Sequence, residues 1–322
     1  MSSRNGVGPR VVALGGGHGL AASLRALRAV TPNLTAVVGV SDNGGSSGRI
    51  REQFNVVPPG DLRMALAALC GDDQWGSTWA RVLQHRFSST GDLDGHALGN
   101  LLITALWEET GDVVSALDWV SRLLDSRGRV LPLATDPLEV QARAVDEHGV
   151  EHVITGQAQV ATSDLDIKEI TLVPAGVAAC PQAVTAVQNA DVVILGPGSW
   201  FTSVMPHFHV QEMASALIGT EAKRVLVLNL DPAQGETRGF GPETFLQGLA
   251  HDHPDFRLDV VIADPSHTHD RGPLEAVAAT MGATVHYAPV ANALEPQNQH
   301  DPVLLASAFE QVFSSGIIGA WQ

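Results

Sequence analysis

The chain is short of nearly everything that marks a secreted, membrane-spanning or nucleic-acid-binding protein. It holds two cysteines, Cys70 and Cys180, in 322 residues. Two thiols without metal-ligand spacing exclude a disulfide framework and a cysteine zinc site, and predict buried free thiols in a reducing compartment. Basic residues are scarce: 19 Lys and Arg stand against 35 Asp and Glu, a formal net charge of −16. A nucleic-acid binder needs a basic footprint to displace counterions, and an anionic membrane surface asks for the same, so neither partner is expected. No apolar run reaches the ~18 residues of a membrane span. Residues 1–10 lack the apolar core of a signal peptide. A cytoplasmic protein without membrane insertion is the expectation.

Several catalytic signatures are missing too. There is no HEXXH helix and no GxxxxGK[ST] phosphate loop, and Gly196-Pro197-Gly198-Ser199 is not a GxSxG nucleophile elbow. The pairs His207-x-His209, His251-x-His253 and His267-x-His269 are followed by no third or fourth ligand at a recognisable spacing. They are read as surface histidines rather than metal ligands.

What is present is apolar mass and clustered glycine. Hydrophobic residues make up 44%, enough for a large core, and the 32 glycines gather in short stretches. A small anion is compatible with the acidity, because backbone N–H groups and a few local arginines can hold it against the global field. Val11 to Leu14 is a short apolar run, followed at once by glycines. Leu20, Leu24 and Leu27 then recur at helical spacing, and Leu34 to Val40 is a second apolar run. This is a βαβ unit of the kind that builds parallel sheets. Alternation returns in the second half, with strands at Asp191–Leu195, Val225–Leu230, Leu258–Ala263 and Thr284–Tyr287. The expected fold is α/β: a three-layer, Rossmann-like, mainly parallel sheet in a single domain over 1–322. A helical segment is expected at about 61–125 and a small β-hairpin insertion at about 130–175.

Five motifs carry candidate chemistry. Gly16, Gly17, His18 and Gly19 lie between the first strand and a helix, and counted from Gly17 they open a G-x-G-x-x-A pattern. Glycines there permit a tight turn, and the helix N-terminus offers free N–H groups to a phosphate. His18 either donates to that phosphate or fills the loop. Asp42 ends the second strand where a ribose-binding acid sits in dinucleotide folds. Asn43, Gly44, Gly45, Ser46, Ser47 and Arg49 follow it as an expected second anion cradle. In Pro58-Pro59-Gly60-Asp61-Leu62-Arg63, Asp61 either caps a helix or bonds a sugar or metal-bound water. Arg63 either faces solvent or faces the ligand. Asn100, after Gly99, presents an amide to the ligand or caps the next helix. Gly196, Gly198, Ser199 and Ser203 repeat the strand–glycine–helix logic in the second half. Two such loops after neighbouring parallel strands can face one crevice at a topological switch point.

Together these residues resemble the gluconeogenesis factor family, YvcK-like proteins within the CofD-like superfamily. The resemblance rests on Gly15 to Leu20, Ser41 to Arg49, Pro58 to Arg63, Gly99-Asn100-Leu101, Gly196 to Ser199, Gly235-Glu236-Thr237 and His300-Asp301-Pro302. It implies a protein that binds a nucleotide sugar, UDP-N-acetylglucosamine leading, and that links carbon metabolism to cell shape and cell-wall synthesis. No required cofactor is implied. A cell-wall synthesis protein as partner and a homo-oligomer are expected. The related enzyme branch implies an alternative: a magnesium-dependent transferase that moves a phospholactyl-type group onto a deazaflavin alcohol. Asp42 would then hold the metal, and Arg49, Arg63 and the glycine-loop amides would stabilise charge. The chain departs from the family pattern at His18 (usually Thr), Asn43 (commonly Asp), Phe240 (often Tyr) and Gln299 (often Arg). No catalytic residue is singled out, because no nucleophile stands beside a base. An NAD-dependent oxidoreductase is disfavoured by the extra Ser/Gly loop.

Overall fold

The computed structural model describes residues 8–230, 237, 240–293 and 299–314. The chain opens with β1 (Arg10–Gly15), α1 (Gly17–Val30) and β2 (Asn33–Val38). Five helices follow: α2 (Gly45–Phe54), α3 (Pro59–Leu69), α4 (Gln74–Gln84), α5 (Leu98–Thr110) and α6 (Val113–Leu124). Then come β3 (Arg129–Pro132), β4 (Glu139–Val145), β5 (Glu151–Thr155), the short α7 (Gln157–Ala161) and β6 (Asp166–Val173). The second half runs α8 (Pro181–Gln188), β7 (Val192–Leu195), a π-helical turn (Trp200–Val204), α9 (Pro206–His209), α10 (Gln211–Gly219) and β8 (Lys223–Val227). It closes with α11 (Pro242–Asp252), β9 (Val260–Ala263), α12 (Arg271–Thr280), β10 (Thr284–Tyr287) and α13 (Pro302–Ser314).

Seven strands form one sheet in the order β10-β9-β8-β7-β1-β2-β3, and every pairing is parallel. The central strands are apolar along their whole length because helices cover both faces. Val192-Val193-Ile194-Leu195 and Val260-Val261-Ile262-Ala263 are buried throughout. α1 lays Leu20, Leu24 and Leu27 onto the core and packs against α3 and α13. Each such side chain contributes roughly 1.5–3 kcal/mol of burial. Among the described residues no helix is long and apolar enough to cross a membrane.

β1 lies between β2 and β7, with Leu14 beside both Val37 and Leu195. The chain leaves β1 in one direction through α1 and returns much later on its other side. The strand order therefore reverses at β1/β7, and a crevice opens beyond their carboxyl ends, where ligands bind in open α/β sheets.

The expected α/β architecture holds, with three local corrections. Helix begins at Gly45, not near residue 61, since the Gly/Ser stretch is the first turn of α2. Its low intrinsic propensity is overridden by burial of Ser46, Ser47, Gly48 and Ile50. Asp61 is not an N-cap, because α3 starts at Pro59 and Asp61 lies in its first turn. The insertion is a three-stranded antiparallel sheet, β5-β4-β6, rather than a hairpin, and residues 129–132 belong to the main sheet.

Candidate functional site

Two glycine loops meet at the switch point. α1 starts at Gly17, and the loop after β7 crosses directly over it. A Cβ at Gly19 would stand 2.2 Å from the Pro197 carbonyl oxygen and 2.8 Å from the Gly198 Cα, so only glycine lets the two backbones touch. Asn229, two residues past β8, clamps the second loop. Its Oδ1 accepts the Gly198 N–H (2.9 Å) and its Nδ2 donates to the Gly198 carbonyl (2.7 Å). Ser199 caps the π-helical turn by accepting the Thr202 N–H at 3.3 Å. Ser203 is buried beneath Gly16 and Gly198.

Above this junction is a crevice of about 890 Å³, lined by His18, Gly19, Pro197, Gly198, Ser199, Asn229 and His300, with Arg25, Arg63 and Arg86 on its wall. Three arginines on one crevice matter in a chain with 19 basic residues against 35 acidic ones. With the α1 N-terminus they form a local positive field suited to phosphate oxygens. His300 Nε2 lies 3.1 Å from the Leu228 carbonyl, and burial lowers its pKa to about 4, so the ring is neutral and donates there.

A second cavity of about 240 Å³ adjoins it, lined by Asp42, Gly44, Gly45, Ser46, Ser47, Asp61 and Asn100. Arg63, Met64 and Arg86 line both spaces and join them. Arg63 is the hinge of the site. Its stem passes Gly99, where a Cβ would come within 2.8 Å of Arg63 Cγ and of the Leu83 carbonyl. Its Nη1 donates to Gln84 Oε1, while its buried Nε has no partner among the described residues. Burial, with the nearby Arg86, lowers its pKa to about 10, so it stays charged at neutral pH. Asn100 Oδ1 is likewise buried without a partner. An unpaired buried donor and acceptor are each costly, and the two lie on residues that line the same cavity.

Asp61 reaches under the first loop and accepts the Gly17 N–H. Burial, then the charge of Asp42, push its pKa up to about 7. Asp42 itself accepts the Gly44 N–H at 2.8 Å. Among the described residues no group of three His, Cys, Asp or Glu is placed to hold a metal.

Other expected cradle residues have their polar groups already engaged. Asn43 turns away from the crevice. Its Oδ1 accepts the Ala158 N–H (3.0 Å) and its Nδ2 donates to Gln159 Oε1 (2.9 Å), which docks α7. Arg49 Nη2 donates to the Asp94 carbonyl (2.6 Å), and Arg49 lines neither cavity. Ser46 Oγ accepts from Asn100 Nδ2 (3.0 Å) and the Ala97 N–H (3.3 Å). That leaves its one proton for His96 Nδ1 at 3.1 Å, an imidazole kept neutral by burial and by Arg49. His207 is no surface histidine: it is fully buried between the Val204 and Val37 carbonyls, 3.2 Å from each. Gly235 and Glu236 lie outside the described residues.

Residues 11–291 match the family model described as 2-phospho-L-lactate transferase CofD. A provisionally named gluconeogenesis factor of Mycobacterium tuberculosis (strain ATCC 25618 / H37Rv) is 47% identical over 94% of this chain and 90% of its own length. The gluconeogenesis factor of Bacillus subtilis (strain 168) is 36% identical over 71% of this chain and 70% of its own. A crystal structure of a UPF0052 family member from Bacillus halodurans superposes with a TM-score of 0.83 at 29% identity, covering 94% of this chain and 99% of that one.

Proposed function

The chain belongs to the CofD family, with the gluconeogenesis factors as its relatives, and from that membership we propose that it is a regulatory protein that binds a nucleotide sugar. The observation that carries this proposal is the crevice at β1/β7, where two glycine loops and three arginines converge in an otherwise acidic chain. The diphosphate would lie against the Gly17–Gly19 turn and Gly198, with Arg63 bridging to the second cavity. The sugar would enter that cavity beside Arg63 and Asn100, which line it. UDP-N-acetylglucosamine is the ligand the resemblance favours, and a role in carbon metabolism and cell-wall balance goes with it. The Ser46 hydroxyl, which lines the second cavity and faces neutral His96, already accepts from Asn100 Nδ2 and the Ala97 N–H, and this bracing role supports sensing over turnover.

The second possibility, a phospholactyl-type transferase, is favoured by one observation: the neighbouring carboxylates Asp42 and Asp61. Magnesium is commonly held by one or two carboxylates plus substrate phosphates and waters, and these two fit that donor set. There it would neutralise phosphate charge, while Arg63 and the loop amides orient the group.

Titration calorimetry separates the two. UDP-N-acetylglucosamine should bind and NAD should not, and Arg63→Gln should weaken binding about 10–100-fold by removing a charge-assisted partner. Absence of heat with every UDP-sugar tested would overturn the sensing function. Given a guanosine-diphosphate-activated phospholactate and a deazaflavin alcohol, magnesium-dependent release of GMP with formation of the phospholactyl ester would replace it with transfer.

A further inference from the structure

The insertion sheet has an open edge with a definite pattern. β5 pairs with β4 on one side only, in the register Gln141–Thr155, Arg143–Val153 and Val145–Glu151. The Gly156 N–H donates to the Val140 carbonyl, and the Asp146 N–H donates to the Val150 carbonyl. Those bonds fix the alternation: the even-numbered residues of β5 point their N–H and C=O groups at β4. The backbone groups of Glu151, Val153 and Thr155 therefore point outward, and among the described residues nothing pairs with them.

β5 is short and carries one charged residue, Glu151, but it lacks the stronger devices that blunt natural sheet edges. β5, Glu-His-Val-Ile-Thr, carries no lysine, proline or glycine, and the one irregularity in this sheet lies on the β4/β6 side. At its centre Val153 is 68% exposed, and Val150 just before the strand is 53% exposed. An outward-facing ladder centred on an exposed valine is a template for another strand.

We propose that β5 is a homodimer interface, pairing antiparallel with β5 of a second copy across a two-fold axis at Val153. The register follows from the strand itself. A two-fold axis through Val153 sets Val153 opposite Val153, Glu151 opposite Thr155, and His152 opposite Ile154. It is the one centring that engages all five residues of β5. It faces no acid against an acid, although the chain carries −16 overall. It also makes the three outward residues hydrogen-bonded pairs, six backbone bonds in all, and joins two three-stranded sheets into one of six. Arg143, already paired with Glu151 and Glu169 on this face, stands in the same row as Val153. The row reads acid, base, valine, then valine, base, acid in the partner copy. β5 runs into α7, which Asn43 of the ligand-site loop holds, so the interface would brace the insertion against the site.

The test is sedimentation of the full chain from roughly 1 to 200 µM, the range in which a small edge-to-edge contact associates. The mass should rise from 33.9 kDa toward twice that value. Val153→Lys and Val153→Pro should each hold it at the monomer value with the melting temperature unchanged. Proline is tolerated because the Val153 N–H bonds to nothing among the described residues. Val153→Cys should form an inter-chain disulfide on mild oxidation, since a hydrogen-bonded pair sets Cα atoms ~5.5 Å apart, within disulfide reach. A monomer at the highest concentration would overturn the proposal. So would a dimer that persists in both the lysine and proline variants.

Discussion

Three glycine-rich segments follow the neighbouring strands β7, β1 and β2, yet they are built for different work. The loops after β1 and β7 hold their glycines at a backbone crossing and leave donors facing a crevice of about 890 Å³. The segment after β2 is as rich in glycine and serine, but its side chains are turned inward. Asn43 holds α7, Ser46 ties His96, Ala97 and Asn100 together, and Arg49 is bonded to the Asp94 carbonyl. Composition marks all three segments as special. Only the hydrogen-bond accounting separates a ligand cradle from a brace that shapes the wall behind it.

The sharpest way to break this contrast is at the crossing. Gly19→Ala puts a methyl carbon against the Pro197 backbone at 2.2 Å, and backbone cannot swing aside as a side chain can. A loss of roughly 1–3 kcal/mol in denaturant unfolding is expected, with about 100-fold weaker nucleotide-sugar binding. An unchanged midpoint would mean that the loops do not cross as described.

Asp61 tests the coupling between the two regions, because it links the Gly17 amide to Asp42. Its folded pKa of about 7 lies above the ordinary 3.8, since burial and Asp42 disfavour its charge. The stability it contributes is full below about pH 4 and is lost as pH rises through 7. Asp61→Asn should therefore gain on the native protein across that window, on the order of 2 kcal/mol by pH 8. That is less than the whole shift at ~1.36 kcal/mol per unit, because the carboxyl is partly open to solvent. His300 and His207, both lowered to about 4, work in the opposite direction below pH 6.5, but they are common to both proteins and cancel in the difference. Parallel pH–stability curves would sink the assignment. Next in size, Ser46→Ala should cost about 1–2 kcal/mol in denaturant unfolding, as it strands three buried partners.

The legible part of the site was the part made of local pattern. An apolar run, then glycine, then leucines at helical spacing identifies β1, its loop and α1, and the same logic finds β7 and Gly196–Ser199. Arg63 and Asn100 were also found, because each follows a Pro/Gly or Gly-led helix start. Arg25 and Arg86 were not: one is an exposed position on α1 and the other lies past the end of α4, and only tertiary packing brings them to the crevice. Asn229 had a usable signal, since it falls just beyond a strand on the ligand-facing end of the sheet. The Gly/Ser segment reads as a loop in sequence because glycine and serine are poor helix formers, whereas burial against neighbouring elements makes it the first turn of α2.

Arg49 is the smallest and most discriminating case. By residue type it is a phosphate ligand: an arginine after a Ser/Gly run at a strand end. By geometry it is a strut. Its guanidinium reaches the Asp94 carbonyl, sits near Gly95 and lines neither cavity. A part-exposed hydrogen bond to a carbonyl is worth about 1 kcal/mol or less. Arg49→Ala should therefore lower stability by no more than that, leave nucleotide-sugar affinity within about threefold, and raise the His96 pKa toward its ordinary value, because Arg49 is one of the two causes depressing it. Calorimetry and an NMR titration of His96 read the two effects separately. If affinity instead fell as far as in Arg63→Gln, the α2 segment would be a true second cradle, with Arg49 swinging from Asp94 to the ligand on binding.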